Sequence, residues 1–329
     1  MATAPFKKNY LWIWFAWLLL FYCTWLVLVL SQSQWHVVVQ HWQIAVAMAL
    51  GSFAAGSTPM GGGTVGFPVL VLGFDMPAIL GRDFSFAIQS IGMVSASIFI
   101  FARRQAVASA ALKGAILGSL AGTPLGILFI APMIPELWIK LVFAVIWASF
   151  GLHHLFRINQ IAANTGLRSL GKSRDLRVGV LLGFMSSLSV VAVTGVGIDM
   201  FIYTFLVLLC RSDLKIAIPT SVVIMAFTSL LGVVIKLFTV GMVPGVYENW
   251  LAAAPIVALG APLGVFFVSR IGRKSILLVV AILCIFQYLW TCFTEYKLLG
   301  AAGVGVSLLL IAALLVAFER LRWAGELRG

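Results

Sequence analysis

Apolar runs recur along nearly the whole chain, and their lengths sort them into two kinds. Leu11–Leu30, Phe84–Phe101, Ala106–Ile130, Leu137–Phe156, Ile216–Phe238, Trp250–Val268, Ser275–Thr291 and Leu298–Phe318 come close to or exceed the roughly 20 residues that carry a helix across a bilayer. The others are shorter and come in pairs, Trp42–Ala55 with Val69–Leu80 and Val178–Val193 with Met200–Cys210. A glycine-bearing interruption parts each pair. The first is Gly56-Ser57-Thr58-Pro59-Met60-Gly61-Gly62-Gly63-Thr64-Val65-Gly66-Phe67-Pro68, the second Thr194-Gly195-Val196-Gly197-Ile198-Asp199. Glycines and prolines at this density do not continue a helix. Non-helical backbone at membrane depth survives only where protein buries it or it lines a cavity. The pattern therefore predicts two re-entrant helical hairpins whose second arms start near the bilayer midplane. Each such start offers free N–H groups and a positive dipole end to an anion. The alternative is a glycine-packed crossing of two ordinary helices.

Composition turns this pattern into a class. The chain is 62% hydrophobic and 10% charged, with a mean hydropathy of +1.10, which predicts an all-α polytopic membrane protein. The longest polar stretch is Arg157–Arg177, so no soluble domain is expected. The first apolar run exceeds a signal-peptide core and lacks a small-residue cleavage site, so it reads as an anchor. Cys23, Cys210, Cys284 and Cys292 show neither metal-ligand nor redox spacing, and no cofactor is predicted. Gly114, Gly118, Gly122 and Gly126 make a flat ridge on one helix face, for packing within the subunit or against another in a homodimer.

The net charge of +12 would point to nucleic acid in a soluble protein; here its distribution points to topology and to no nucleic-acid partner. With the N-terminus inside and each hairpin returning to its own side, 17 of the 22 basic residues fall on the cytoplasmic face. Arg82, Lys140, Lys236 and Lys297 lie outward, among the acids Asp83, Glu136, Glu248 and Glu295. A bias of this size fixes orientation. The halves also repeat: displaced by 131 positions, Gly66 falls on Gly197 and Gln89-Ser90 on Thr220-Ser221; displaced by 138, Gly122-Thr123-Pro124-Leu125-Gly126 falls on Gly260-Ala261-Pro262-Leu263-Gly264. Each repeat, 42–156 and 178–292, reads as a hairpin plus three transmembrane helices. Three full crossings invert the second copy against the first, the construction of secondary transporters. Segment 1–41 holds an extra helix and an outer loop, 157–177 a cytoplasmic basic loop, and 293–329 an extra helix and a basic tail.

The Gly61–Pro68 stretch, the Gly195-Val196-Gly197 tip and the paired Gly-x-Pro-Leu-Gly segments resemble the sulfite exporter TauE/SafE family over roughly residues 42–292. The resemblance implies a secondary transporter of small sulfur-containing anions, sulfite or organosulfonates, in a bacterial inner membrane. The second tip departs from the first: it lacks a glycine triplet and carries Asp199 near the position of Pro68. An anion channel is the second reading, since the same helix ends can line a pore, and a membrane-embedded enzyme the third. His153-His154 is the one hint of metal or enzyme chemistry.

Candidate substrate contacts are backbone N–H groups of Gly61, Gly62, Gly63 and of Gly195 and Gly197, with neutral donors from Thr64, Gln89, Ser90, Thr194, Thr220 and Ser221. Neutral donors suit a cargo that must also leave. The competing reading has these hydroxyls bonded back to their own helices. Asp199 is the one acid expected at membrane depth, either as a proton-coupling residue or as a helix N-cap.

Overall fold

The structure is a computed structural model that describes residues 10–61, 63–268, 270 and 272–327. Among these residues helices are the only regular elements. Helix α1 is Leu11–Ser31, and a short turn at Trp35–Gln40 leads into α2, Trp42–Ser57. Helix α3, Gly63–Pro68, continues through a π-helical turn to Gly73. Three long helices follow: α4 at Ala78–Ala102, α5 at Ser109–Leu125 with a π-helical extension to Ile130, and α6 at Glu136–Phe156. Helix α7, Lys172–Ser186, extends through Val191 to Thr194. Helix α8, Ile198–Thr204, runs on to Leu209. The rest are α9 at Leu214–Phe238, α10 at Val246–Val268, α11 at Arg273–Thr294 and α12 at Tyr296–Glu326.

Nine helices among the described residues are long and apolar enough to cross a membrane, and Trp42–Ser57, Thr64–Gly73 and Ile198–Leu209 are shorter apolar helices. The first interrupted pair is thus short on both sides. The second is unequal, because its first arm, counted from Lys172 to Thr194, is long enough to cross. The sequence reading started that arm at Val178 and so made it too short.

The arms are held by exchange. Helix α7 lies on α5 and helix α2 on α10, so each first arm packs on a long helix of the other half. Glycine makes both contacts possible. A methyl added at Gly114, Gly118 or Gly122 would overlap the carbonyl oxygens of Leu176, Val180 and Phe184 on α7. Gly179 and Gly183 face back the same way, onto Ala111 O and Ala115 O. On the other side Gly56 lies against Ala261 O, and Gly264 against Phe53 O. The glycine ridge therefore packs within the subunit. Helices α4 and α9 pack on each other through the middle, as do α6 and α11. α1 and α12 lie outside this arrangement, α1 against α4 and α12 against α6.

One boundary differs from expectation in a way that matters. The sequence reading placed Arg82 and Asp83 in an outer loop before a span starting at Phe84. Helix α4 instead begins at Ala78, and both residues are buried within its second turn. Pro77 stands immediately before the helix with φ −55°, where proline's missing donor costs nothing. Arg82 and Asp83 pair with each other, and Asp83 also pairs with Lys236 near the end of α9.

Gly118→Val should cost about 3 kcal/mol, because its branched side chain must push apart two backbones in contact. A clear drop in melting temperature of the detergent-purified protein is expected. Gly305→Val, whose added Cβ meets nothing within 4 Å, should leave it unchanged.

Candidate functional site

The two chain breaks meet inside the protein. At the first, α2 ends at Ser57, and the hydroxyls of Ser57 and Thr58 donate back to Ala54 O at 3.2 and 2.7 Å. Gly61 then takes φ +66°, a left-handed conformation that glycine adopts without strain. Thr64 in the first turn of α3 donates its hydroxyl to Met60 O. At the second, Gly195 and Gly197 take φ +79° and +118°. The Thr194 hydroxyl lies 2.8 Å from Val190 O and 2.9 Å from Val196 O, and accepts the Val196 N–H at 3.3 Å. These side-chain bonds satisfy backbone groups that the broken helices leave over.

Gly61 is where the tips face each other. A Cβ built on it would lie 2.5 Å from Gln89 Oε1 and 2.9 Å from Asp199 Oδ2. Gln89, on α4, donates through Nε2 to Ser85 O at 3.0 Å and to Gly195 O at 3.3 Å. One amide thus touches both breaks. Its Oε1 is sealed from solvent and has no hydrogen-bond partner. Asp199 is 2% exposed and stands second in α8, behind the N-cap Gly197; its Oδ1 accepts the Met200 N–H at 3.0 Å. It is therefore not the N-cap, because Gly197 supplies the non-helical residue two positions earlier than the cap reading needs. Among the described residues no cationic side chain pairs with it.

Trp147 on α6 closes the site from the other side. Its Nε1–H donates to Thr64 Oγ1 at 3.0 Å, and its ring edge is 3.4 Å from where a Cβ on Gly197 would stand. It stacks on Phe143, ring centroids 4.1 Å apart, and Phe143 on Phe67 at 4.6 Å. The sequence reading missed this residue. The signal was a tryptophan in mid-span, away from the interfaces where tryptophan is enriched. An open cleft of about 200 Å³ between α3 and α11 reaches the first tip at Thr64; Gln287, whose buried Oε1 also has no partner, faces it with Trp290.

The remaining candidates lie elsewhere or are committed. Ser90 donates to Ala87 O and Ser221 to Ile218 O, both at 2.8 Å. Thr220 donates to Ile216 O at 2.7 Å and accepts the Ala108 N–H at 2.9 Å, which ties α9 to the start of α5. Gly63 begins α3, and Gly62 lies outside the described residues. His154 Nδ1 is 2.7 Å from Phe150 O, and His153 Nε2 is 3.5 Å from Glu319 Oε2. No cluster of three metal-binding side chains occurs among the described residues.

The family described as Sulfite exporter TauE/SafE matches residues 44–290 of the chain, a range that holds both tips, Gln89, Trp147 and Asp199. No curated protein and no solved structure matches it.

Gly195→Ala combines left-handed strain of about 1–2 kcal/mol with overlap of the new methyl on Arg82 O. Gly166→Ala has the same strain at φ +69° but meets nothing within 4 Å. Thermal unfolding should therefore rank Gly195→Ala well below Gly166→Ala; equal losses would mean the tip is not tightly seated.

Proposed function

The chain belongs to the sulfite exporter TauE/SafE family, and from that premise we propose that it is a secondary transporter of a small sulfur-containing anion, sulfite or an organosulfonate, with the cargo held where the two tips meet. The family supports transport of sulfur anions across a membrane. The observation that carries the location is the convergence of Gly61, Gln89 Oε1, Asp199 Oδ2 and Gly195 O at one buried point. The two halves, 42–156 and 178–292, are read as inverted repeats. That reading is supported by their matched order of elements and by the reciprocal seating of α2 on α10 and α7 on α5. Substrate-facing groups in this proposal are the backbone of Gly61, Gly62, Gly63, Gly195 and Gly197, with Thr64, Gln89 and Thr194. Ser90, Thr220 and Ser221 act one layer out, through the helices they brace.

Asp199 is proposed to carry a proton with the cargo. As the tips stand, Gln89 Oε1 and Asp199 Oδ2 are two acceptors turned toward the same glycine. An anion gains nothing from either. A proton on Oδ2 turns it into a donor, which can satisfy Gln89 Oε1 or the cargo. An asparagine in place of Asp199 keeps the shape and one acceptor but cannot exchange a proton. Reconstituted wild-type protein should show saturable sulfite counterflow, which a channel would not. Asp199→Asn should retain counterflow while a pH gradient no longer drives accumulation. Accumulation at the wild-type level in that variant would remove Asp199 from the coupling.

The proposed orientation, with both termini and the 157–177 loop cytoplasmic in a bacterial inner membrane, follows from the basic residues. Single cysteines at Arg168 and Arg322 should be labelled only from the cytoplasmic side, and at Gln34 and Glu295 only from outside. External labelling at position 168 would overturn the inverted arrangement.

A further inference from the structure

Three charged side chains are buried together where α4 begins and α9 ends. Arg82 is 5% exposed, Asp83 0% and Lys236 4%. Asp83 Oδ1 accepts from Arg82 Nε at 3.0 Å, and its Oδ2 from Lys236 Nζ at 2.9 Å and from Val243 N–H at 3.3 Å. Two cations share one carboxylate, so the group carries a net positive charge in the interior. Buried ions are costly unless fully paired, and cations within a membrane protein usually mark an ion path. The position is also against the topological bias. The far end of α4 is followed by Arg103 and Arg104, and the far end of α9 is preceded by Arg211 and followed at once by Lys215. Arg82 and Lys236 sit at the opposite end, where basic residues are otherwise scarce.

Pairing leaves Arg82 with donors to spare. Asp83 takes its Nε alone, and among the described residues no protein acceptor faces its two Nη groups. A guanidinium fork is shaped for two oxygens of an oxyanion. The backbone connects this group to the tips. Arg82, Ser85 and Gln89 follow each other along one face of α4. Arg82 O and Ser85 Cβ press on Gly195, and Gln89 holds Gly195 O. Arg82 therefore stands about 10 Å along the helix from Gln89. Segment 74–77 is exposed, and loop 239–245, which lies over Asp83 through its Val243 bond, is partly so.

We propose that Arg82, Asp83 and Lys236 form an anion-docking site beneath the exposed 74–77 segment and the 239–245 loop, in which the Arg82 fork and the Lys236 charge engage a small sulfur oxyanion before it reaches, or after it leaves, the paired tips. The inference rests on the transporter reading above. Asp83 sets the strength: it holds both cations in place and cancels part of their charge, so that the anion binds yet departs, as passage requires.

Sulfite is the probe, in proteoliposomes carrying the full chain. Arg82→Gln should raise the KM for sulfite about tenfold, the loss of one charge-assisted contact, with the maximal rate within about twofold of wild type. Arg82→Lys should fall between, keeping charge without the fork. Asp83→Asn should move the other way, lowering both KM and maximal rate as release slows. A purely structural triad predicts lower rates in all three with KM unmoved, and that pattern overturns the docking site. On wild-type protein alone, saturating sulfite should slow modification of Arg82 by phenylglyoxal, read by mass spectrometry; an equal rate with and without sulfite also overturns it. Wild-type protein that moves neither sulfite, ethanesulfonate nor sulfoacetate would instead overturn the transporter reading, and the docking site with it.

Discussion

Close approach of backbone to backbone through glycine is the constraint on which the centre of the molecule depends. In a bilayer no hydrophobic force draws helices together, because lipid tails are as apolar as leucine; van der Waals contact must do it. The first arms, α2 and α7, are held chiefly by such contacts. Helix α2 is 16 residues long, and neither α3 nor α8 reaches the length of a span. Gly114, Gly118 and Gly122 let α7 lie directly on α5, and Gly56 and Gly264 let α2 lie directly on α10. Each tip is therefore positioned by the half of the chain it does not belong to. A shift of one half against the other cannot leave both tips where they are. This makes the Gly61–Asp199 junction responsive to such a shift.

Much of this was legible in the sequence, and what was not had a common cause. The strict spacing of the glycines and the interruption of two apolar pairs are one-dimensional signals, and they located the two chain breaks and the packing ridge. Gln89 was found because repeat alignment set it against Thr220. The two residues do different work, however: Gln89 bridges the tips while Thr220 caps α5. Alignment of position does not imply equal surroundings. Trp147 and the Arg82–Asp83–Lys236 group were not found, since each acquires its meaning from partners distant in the chain, Thr64 for the tryptophan and Lys236 for the pair on α4. Arg82-Asp83 was read as loop because charge interrupts hydropathy, and a charge that is neutralised by a distant lysine looks in sequence like one facing water.

The polar groups at the centre are fixed by their own hydrogen bonds. Gln89 is fixed in orientation: its Nε2 is required by two carbonyls, Ser85 O and Gly195 O. Reversal of the amide would set an oxygen against both. Its Oε1 must then face Gly61, and it is left without a partner, a deficit that costs free energy in a low-dielectric interior.

The division of labour between the two places follows. The tips offer backbone dipoles, an amide and a carboxyl, all neutral or able to become so. A permanent cation there would bind an anion too well to turn over. An anion reaching a site without positive charge, however, would have to be desolvated with nothing to offset the cost. In the docking site proposed above, Arg82 would supply that offset about two helical turns from Gln89 on α4, with Lys236 of α9 beside it on Asp83. In that proposal Asp83, which pairs with both cations, keeps the offset from becoming a trap. Ser85, one turn from Arg82 and one from Gln89, has its hydroxyl bound to Gly81 O at 2.7 Å and its methylene against Gly195. The charged group and the second tip are thus joined through one short stretch of α4.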